Sequence, residues 1–389
     1  MIFADLHIHI GQSLDGKAVK ITASNKLTLP NILEVARDVK GLSLVGVVDA
    51  HSTGVRQDFK TLLASGALRP ISAGGYAAQG LTLIPGHEIE LKVGDGNAHF
   101  LAYFPDLEQV DKYVRTLRST TKNWQLSTQK GYISVELWLE AVRKSEGIWF
   151  PAHAFTPHKG IYGNCCRRLS DILPVLPRAL EIGLSADCSM AESISELESV
   201  VLLSNSDAHS LPNIAREYNS FERVDPSFAG LLGLIQEKNK QAVRNYGLPP
   251  KMGKYHRTYC LSCENIVKTA APQLTCPDCR SKHVVMGVLD RLVSIADRPM
   301  GKTDAATYVH QVPLRQLPGI GPKMYARILK AFGTEMAVLH HVSAEDLQRV
   351  AGENVAVWIM KARRGELKVQ AGGGGVFGRV EDILYPSME

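Results

Sequence analysis

The chain has 389 residues, is 45% hydrophobic and 21% charged, and carries a formal net charge of +5. That length predicts two or three domains at about 100–200 residues each, and the composition excludes long disorder. No apolar run approaches the roughly 20 residues of a membrane-spanning helix, and the first residues lack a secretion signal's basic, apolar and small-residue succession. The expectation is a cytoplasmic protein with no membrane partner.

Through residues 1–245, apolar strand-like runs alternate with amphipathic stretches. Strands are predicted over 2–9, 44–49, 81–85, 98–104, 147–152, 179–184 and 200–204, and helices over 30–40, 55–65, 110–118, 135–145, 193–197 and 228–245. Such alternation predicts parallel pairing. Seven or so units predict an α/β fold closed as a βα barrel, with functional residues at the carboxyl ends of strands. A Pro-, Gly- and base-containing linker follows at 246–257. Residues 255–285 hold a four-cysteine module, and 286–389 read as a helical region punctuated by Pro313, Pro318 and Pro322. The four glycines 372–375 suit a flexible hinge or a loop of close backbone approach, the hinge taking precedence on local chemistry. The basic excess lies in 250–389, which suits a polyanionic partner, although an excess of this size also suits an ordinary solvated surface.

Three motifs that follow strand-like runs end in the same chemistry: Asp5-Leu6-His7-Ile8-His9, Asp49-Ala50-His51 and Asp207-Ala208-His209. Glu88, His99 and His153 lie beside further runs. His7 and His9 are spaced i, i+2 on a strand, so both point to one face. A single strand histidine is usually a hydrogen-bonded core or surface residue, but this many imidazoles and carboxylates at corresponding strand ends predict a metal site. They exceed the three protein ligands of a typical mononuclear catalytic zinc, so two or three divalent metals (Zn²⁺, Mn²⁺ or Mg²⁺) are expected, with Glu88 as the bridge. His87 faces away from Glu88 on its strand and is left out.

These motifs resemble the PHP (polymerase and histidinol phosphatase) family, which implies a distorted βα barrel with a trinuclear site that hydrolyses phosphoesters. By that resemblance His7, His9, Glu88 and Asp207 surround the first metal, Glu88, His99 and His153 the second, and His51, His209 and Asp15 the third. Glu88, Asp207 and His209 are then the catalytic candidates. Ala50 interrupts the Asp-His pair found in many relatives, which leaves open whether Asp49 is a ligand. Asp15 stands where others often have His, and equally suits a turn before Gly16. His158 is a candidate substrate contact at the mouth.

Cys260-Leu-Ser-Cys263 and Cys276-Pro-Asp-Cys279 place paired thiolates on two tight knuckles, the pattern of a tetrahedral structural Zn²⁺ site rather than of disulfides in a cytosolic chain. Leu317-Pro-Gly-Ile-Gly-Pro-Lys323 looks like a helix-hairpin-helix: Gly319 and Gly321 let the backbone approach a phosphate, and Lys323 at a helix start completes the anion site. A plain turn between packed helices is the alternative.

Barrel, zinc module, hairpin and glycine-rich end together resemble the endonuclease Q family across essentially the whole chain. The resemblance implies a DNA repair endonuclease that cuts 5′ to deaminated bases (uracil, hypoxanthine, xanthine) and at abasic sites, acting on double- or single-stranded DNA as a monomer. The lesion must be everted to reach a barrel mouth. Candidate base-pocket residues are Lys20, Thr22 and Ser24 on one segment and Ser185 on another, and Arg167 and Arg168 are candidate phosphate contacts. Two other functions are a small-molecule phosphoesterase of the histidinol phosphatase type, which leaves the cysteines and hairpin unexplained, and a non-catalytic DNA-binding protein with a degenerate barrel.

Overall fold

The computed structural model of the chain describes residues 1–301 and 307–381. Its main sheet is organised on the first strand, Ile2–Ile8, which pairs in parallel with Leu44–Val47; that strand pairs in parallel with Leu81–Val93. On its other edge Ile2–Ile8 pairs antiparallel with Tyr218–Phe221. Val243–Gly247 follows antiparallel, and Tyr308–His310 adds in parallel beyond it. From Leu81–Val93 the wall continues through Gly96–Tyr103 to Ile148–Pro151, both steps antiparallel. Ala179–Glu181 and Val201–Leu203 form a parallel pair. A parallel bridge between Ile8 and Ala208 ties the chain after that pair back to the first strand.

The result is the expected α/β barrel of PHP type, but the expected all-parallel pairing does not hold. Leu81–Val93 and Gly96–Tyr103 are joined by Gly94 and Asp95 alone, and a two-residue connection can join only antiparallel neighbours. The wall closes around one apolar cluster to which Ala4, Leu6, Leu44, Leu101, Tyr103, Phe150, Ala179, Val201, Leu203 and Phe221 all contribute. Gly46 is required here: a Cβ would lie 2.6 Å from the Leu6 carbonyl oxygen and 2.7 Å from the Tyr103 ring.

Helices cover the wall where the sequence supplies a cap and an apolar stripe. Asp106 accepts a hydrogen bond from Gln109 N–H ahead of Leu107–Thr116, and Ser134 does the same for Leu137 ahead of Val135–Lys144. The helix expected over 228–245 stops at Gln236; Val243–Gly247 is a strand because its edge pairs with Tyr218–Phe221. The stretch 193–197 forms only a 3-10 turn, Ser195–Leu197.

Beyond the barrel, Tyr259–Cys260 and Val284–Val285 form a two-stranded ribbon beneath the cysteine knuckles. Helices Pro322–Phe332, Glu335–His340, Ala344–Ala351 and Glu353–Arg363 make up the C-terminal region. Among the described residues no helix is long and apolar enough to cross a membrane.

Candidate metal centre and nucleic-acid interface

The candidate ligands converge at one end of the barrel because each follows, or lies within, a strand that delivers it there. His9 follows Ile2–Ile8, His153 follows Ile148–Pro151, and Asp207 and His209 follow Val201–Leu203. His99 sits near the start of Gly96–Tyr103 instead, since that strand runs the opposite way; its register partner is Glu90, two residues from Glu88. Asp207 and His153 have φ of 45° and 27°. Such left-handed backbone is uncommon for residues other than glycine and concentrates where function requires it.

Three groups of side chains each bring one donor atom per residue within 4.8 Å of one another: His7, His9 and Glu88; His9, Asp207 and His209; Glu88, His99 and His153. Glu88 joins the first group to the third. Its Oε1 lies 3.5 Å from His7 Nε2, 2.9 Å from His99 Nδ1 and 3.4 Å from His153 Nε2, and its Oε2 lies 3.4 Å from His9 Nε2. Asp207 Oδ1 lies 3.5 Å from both His9 Nε2 and His209 Nδ1.

These atoms fit metal ions. His7 Nε2, His9 Nε2 and Glu88 Oε1 are buried and make no hydrogen bond. The 2.9 Å approach of His99 to Glu88 is therefore proximity without hydrogen-bond alignment. Metal–ligand bonds near 2.0–2.2 Å put neighbouring donors about 3–3.5 Å apart, the spacing seen. Burial opposes charge on His7, yet Glu181, Asp207 and Glu88 around it carry its imidazole up to about 9. Burial likewise opposes charge on Glu88, but His99 and Lys20 hold its carboxyl well below the usual carboxylate range. Imidazolium against carboxylate is the metal-free counterpart of a loaded site, and binding a cation releases those protons.

An outer layer fixes the ligands. Glu181 Oε2 lies 2.9 Å from His7 Nδ1, and Asp49 Oδ2 lies 3.1 Å from His9 Nδ1 while accepting the Ile10 N–H at 2.7 Å. Asp49 thus stands behind a ligand, the usual place of a carboxylate that orients a metal-bound imidazole. Asp5 accepts the N–H groups of Ser206 and Ala215 and braces the loop that carries Asp207. Thr128 donates to Glu88 Oε2 at 2.6 Å, and Lys20 Nζ lies 3.4 Å from the same oxygen.

A cavity of about 440 Å³ opens directly beside these groups; its walls include Thr22, His153, His158, Glu181, Ser185, Asp207, His209, Arg216, Lys254, Tyr255 and Phe377. Thr22 and Ser185 therefore meet across one space. Lys20 points to Glu88 instead, and Ser24 donates its backbone N–H to the His209 carbonyl.

Other candidates lie apart. Asp15 is exposed, 2.6 Å from Lys17 Nζ. His51 Nε2 lies 3.2 Å from the Leu126 carbonyl oxygen, and the ring packs on His87 with 3.8 Å between centroids. His87 itself faces Tyr113, 2.9 Å from its hydroxyl. Arg167 donates to the Ser294 carbonyl, and Arg168 to the Ile295 carbonyl and to Asp297, so both guanidinium groups tie the barrel to the end of helix Val288–Ile295. The glycine run near the end is a close-approach loop, not a hinge: the N–H of Gly372 donates to Lys251 and that of Gly378 to Met252. Glu181, Thr128, Arg216 and Phe377 escaped the sequence reading. Glu181 is an acidic residue inside the apolar run 179–184 and ends the strand observed there, Ala179–Glu181; nothing local marks Phe377 beyond the glycines before it.

In the cysteine module Cys260 and Cys279 sulfurs lie 3.6 Å apart, as do those of Cys263 and Cys276. Tetrahedral zinc with bonds of about 2.3 Å separates its sulfurs by about 3.8 Å, whereas a disulfide holds them at about 2.05 Å. In the hairpin Gly319 has φ +80°, and exposed Gly321 precedes Pro322–Phe332, whose first residue is proline. Lys323 is exposed in its first turn.

No protein-family model matches the chain. It is 39% identical to the protein YqxK of Bacillus subtilis (strain 168) over 385 residues, which is 98% of this chain and 99% of that one. Among solved structures it superposes on the lesion-specific endonuclease PfuEndoQ of Pyrococcus furiosus with TM-score 0.82 and 31% identity, covering 98% of this chain and 95% of that one. It superposes on endonuclease Q in complex with a 27-mer duplex carrying an abasic lesion at the active site with TM-score 0.80 and 31% identity, covering 98% and 96%.

Proposed function

The chain belongs to the endonuclease Q family, and from that premise we propose that this metal-dependent DNA repair endonuclease hydrolyses the phosphodiester 5′ to uracil, hypoxanthine, xanthine or an abasic site. The observation that carries the reading is the cavity beside the ligand cluster: its volume lies within the range of about 300–1,000 Å³ typical of small-ligand sites, and Asp207 and His209 belong to both cavity and cluster. A stacked base cannot enter it, so the lesion nucleotide is everted, at least cost where pairing is already damaged.

His7, His9, Glu88, His99, His153, Asp207 and His209 would hold two or three divalent metals, with Glu88 between them. When bound, such metals lower the pKa of a water to about 7 and clamp the phosphoryl oxygens. The remaining work falls to the chain. Glu181 and Asp49 hold His7 and His9 in one orientation. Arg216 and Lys254 put cations at the mouth, where a phosphate backbone passes. Thr22 and Ser185, the members of the two candidate segments that line the cavity, would offer donors to a keto oxygen and not to an amino group, and a donor left unpaired costs more than a lost contact. The four cysteines hold Zn²⁺ in place of the core that so small a module lacks. Gly319, Gly321 and Lys323 grip the backbone without regard to sequence, and the protein acts as a monomer.

The test is a labelled duplex with one central uracil, hypoxanthine or abasic site. The expected result is a nick on the 5′ side that disappears with a chelator. Asp207→Ala is expected to abolish cleavage while DNA affinity stays within about threefold, since it removes a metal ligand rather than a backbone contact. No nick on any lesion, together with turnover of small phosphate esters, would replace this reading with a histidinol-phosphatase-like one.

A further inference from the structure

The glycine run at the chain's end builds a locked hairpin beside the cavity. Gly373 and Val376 exchange backbone hydrogen bonds of 2.9 and 3.0 Å. Gly374 and Gly375 between them have φ of +58° and +86°, the paired left-handed conformation of a two-residue type I′ turn. Both flanks are held. Gly372 N–H donates to the Lys251 carbonyl at 2.8 Å and Gly378 N–H to the Met252 carbonyl at 2.9 Å. On the far side a Cβ on Gly373 would lie 2.4 Å from Ile266, and one on Gly374 3.0 Å from the Tyr259 ring, so the cysteine module backs the hairpin.

The two residues after the turn face different surroundings. Phe377 lines the cavity, its ring 4.8 Å from Lys254 Nζ and 5.7 Å from the Arg216 guanidinium carbon. Val376, directly after the turn, is 69% exposed. An aliphatic side chain held out to water on a rigid turn, with cations around the neighbouring opening, suits a partner that is apolar at the point of contact and polyanionic around it. A duplex has that chemistry, with stacked bases inside and phosphates outside, and side chains of this kind wedge between base steps in other DNA complexes.

We propose that Val376 is the wedge that enters the base stack at the place the lesion nucleotide vacates, while Phe377 forms the wall that holds the everted nucleotide. The proposal rests on the lesion-endonuclease reading above. It explains why a glycine run is fixed rather than mobile: a wedge transmits force only from a rigid mount. It also gives the cysteine module a task, since Tyr259 and Ile266 are the backing.

The experiment uses Val376→Ser in the full chain, a change at an exposed position that leaves folding intact. Substrates are a duplex with one abasic site or uracil, and the same lesion inside a bubble of unpaired nucleotides, where no stack has to be opened. The duplex rate is expected to fall at least roughly tenfold while the bubble rate stays within about twofold. A 2-aminopurine next to the lesion should lose most of its fluorescence rise on binding. Equal loss on both substrates, or loss on neither, overturns the wedge. If the unsubstituted protein cuts neither substrate, the lesion reading fails on its own, and the fluorescence still decides: a rise unchanged by Val376→Ser overturns the wedge.

Discussion

Glu181 stands behind a candidate ligand and sets what the centre can be. Its Oε2 fixes His7 Nδ1 at 2.9 Å, which leaves Nε2 free to face Glu88 and Asp207. Glu181→Gln keeps the shape and removes the charge that supports the imidazole. The expected loss is roughly 10–100-fold in cleavage or metal affinity, read by titrating metal against a chelating dye. Glu217 shows the opposite situation, a carboxyl whose burial outweighs the pull of the neighbouring Arg216 cation. Burial pushes it up to about 8, against the Leu248 N–H that lowers it. Its usual value is 4.5, so the folded state binds a proton that the unfolded state releases. The cost is absent below pH 4.5 and grows as pH rises towards 8. Glu217→Gln should therefore raise the Tm, and by more at pH 8 than at pH 5; equal gains at both would contradict the buried-carboxyl account.

Among the elements, the helix-hairpin-helix carries its own prediction. Gly319→Val together with Gly321→Val should weaken binding to damaged and undamaged duplexes alike, by about tenfold, because phosphate contacts position and do not specify. A loss confined to one lesion would place the hairpin in the pocket. How much of the centre was legible follows from how each element is built. His7, His9, Glu88, His99, His153, Asp207 and His209 were readable because they lie in or just after apolar runs, where their chemistry is rare. The antiparallel turn at Gly94 and Asp95 had its own signal, two short residues between apolar runs, which the alternation of strands and helices concealed. Asp15 and the pair Arg167 and Arg168 have the right chemistry, but their partners are Lys17, one residue beyond Gly16, and the helix Val288–Ile295, which only the folded chain reveals. The glycine run looked like a hinge because its stiffness comes from Lys251 and Met252, far upstream.

Across the whole molecule, the helical region is joined to the barrel through a buried charge pair. Lys40 Nζ lies 2.9 Å from Glu335 Oε1 and 3.3 Å from the Pro212 carbonyl oxygen, on the loop beyond His209. Tyr325, in the helix Pro322–Phe332 that follows the 317–321 turn, donates to the same carboxylate. No local pattern announces such contacts, so the domain boundaries are legible in the sequence while the pair that fastens them is not. Breaking a buried pair strands a charge, so Lys40→Met is expected to cost about 3–5 kcal/mol in denaturant unfolding, and Lys40→Met with Glu335→Leu should recover most of it. Recovery with slower cleavage would show that the pair also aligns the hairpin with the metal centre.

The position of Val376 and Phe377 in the chain has a consequence for synthesis. Every barrel donor, from His7 to His209, leaves the ribosome well before them. At about 5–20 residues per second the lag is on the order of ten seconds or more. A nascent barrel can gather its ions early, but it has no wall and no wedge until the last glycines emerge. On the proposed reading the candidate metal ligands are thus made first, and the wall and the wedge last.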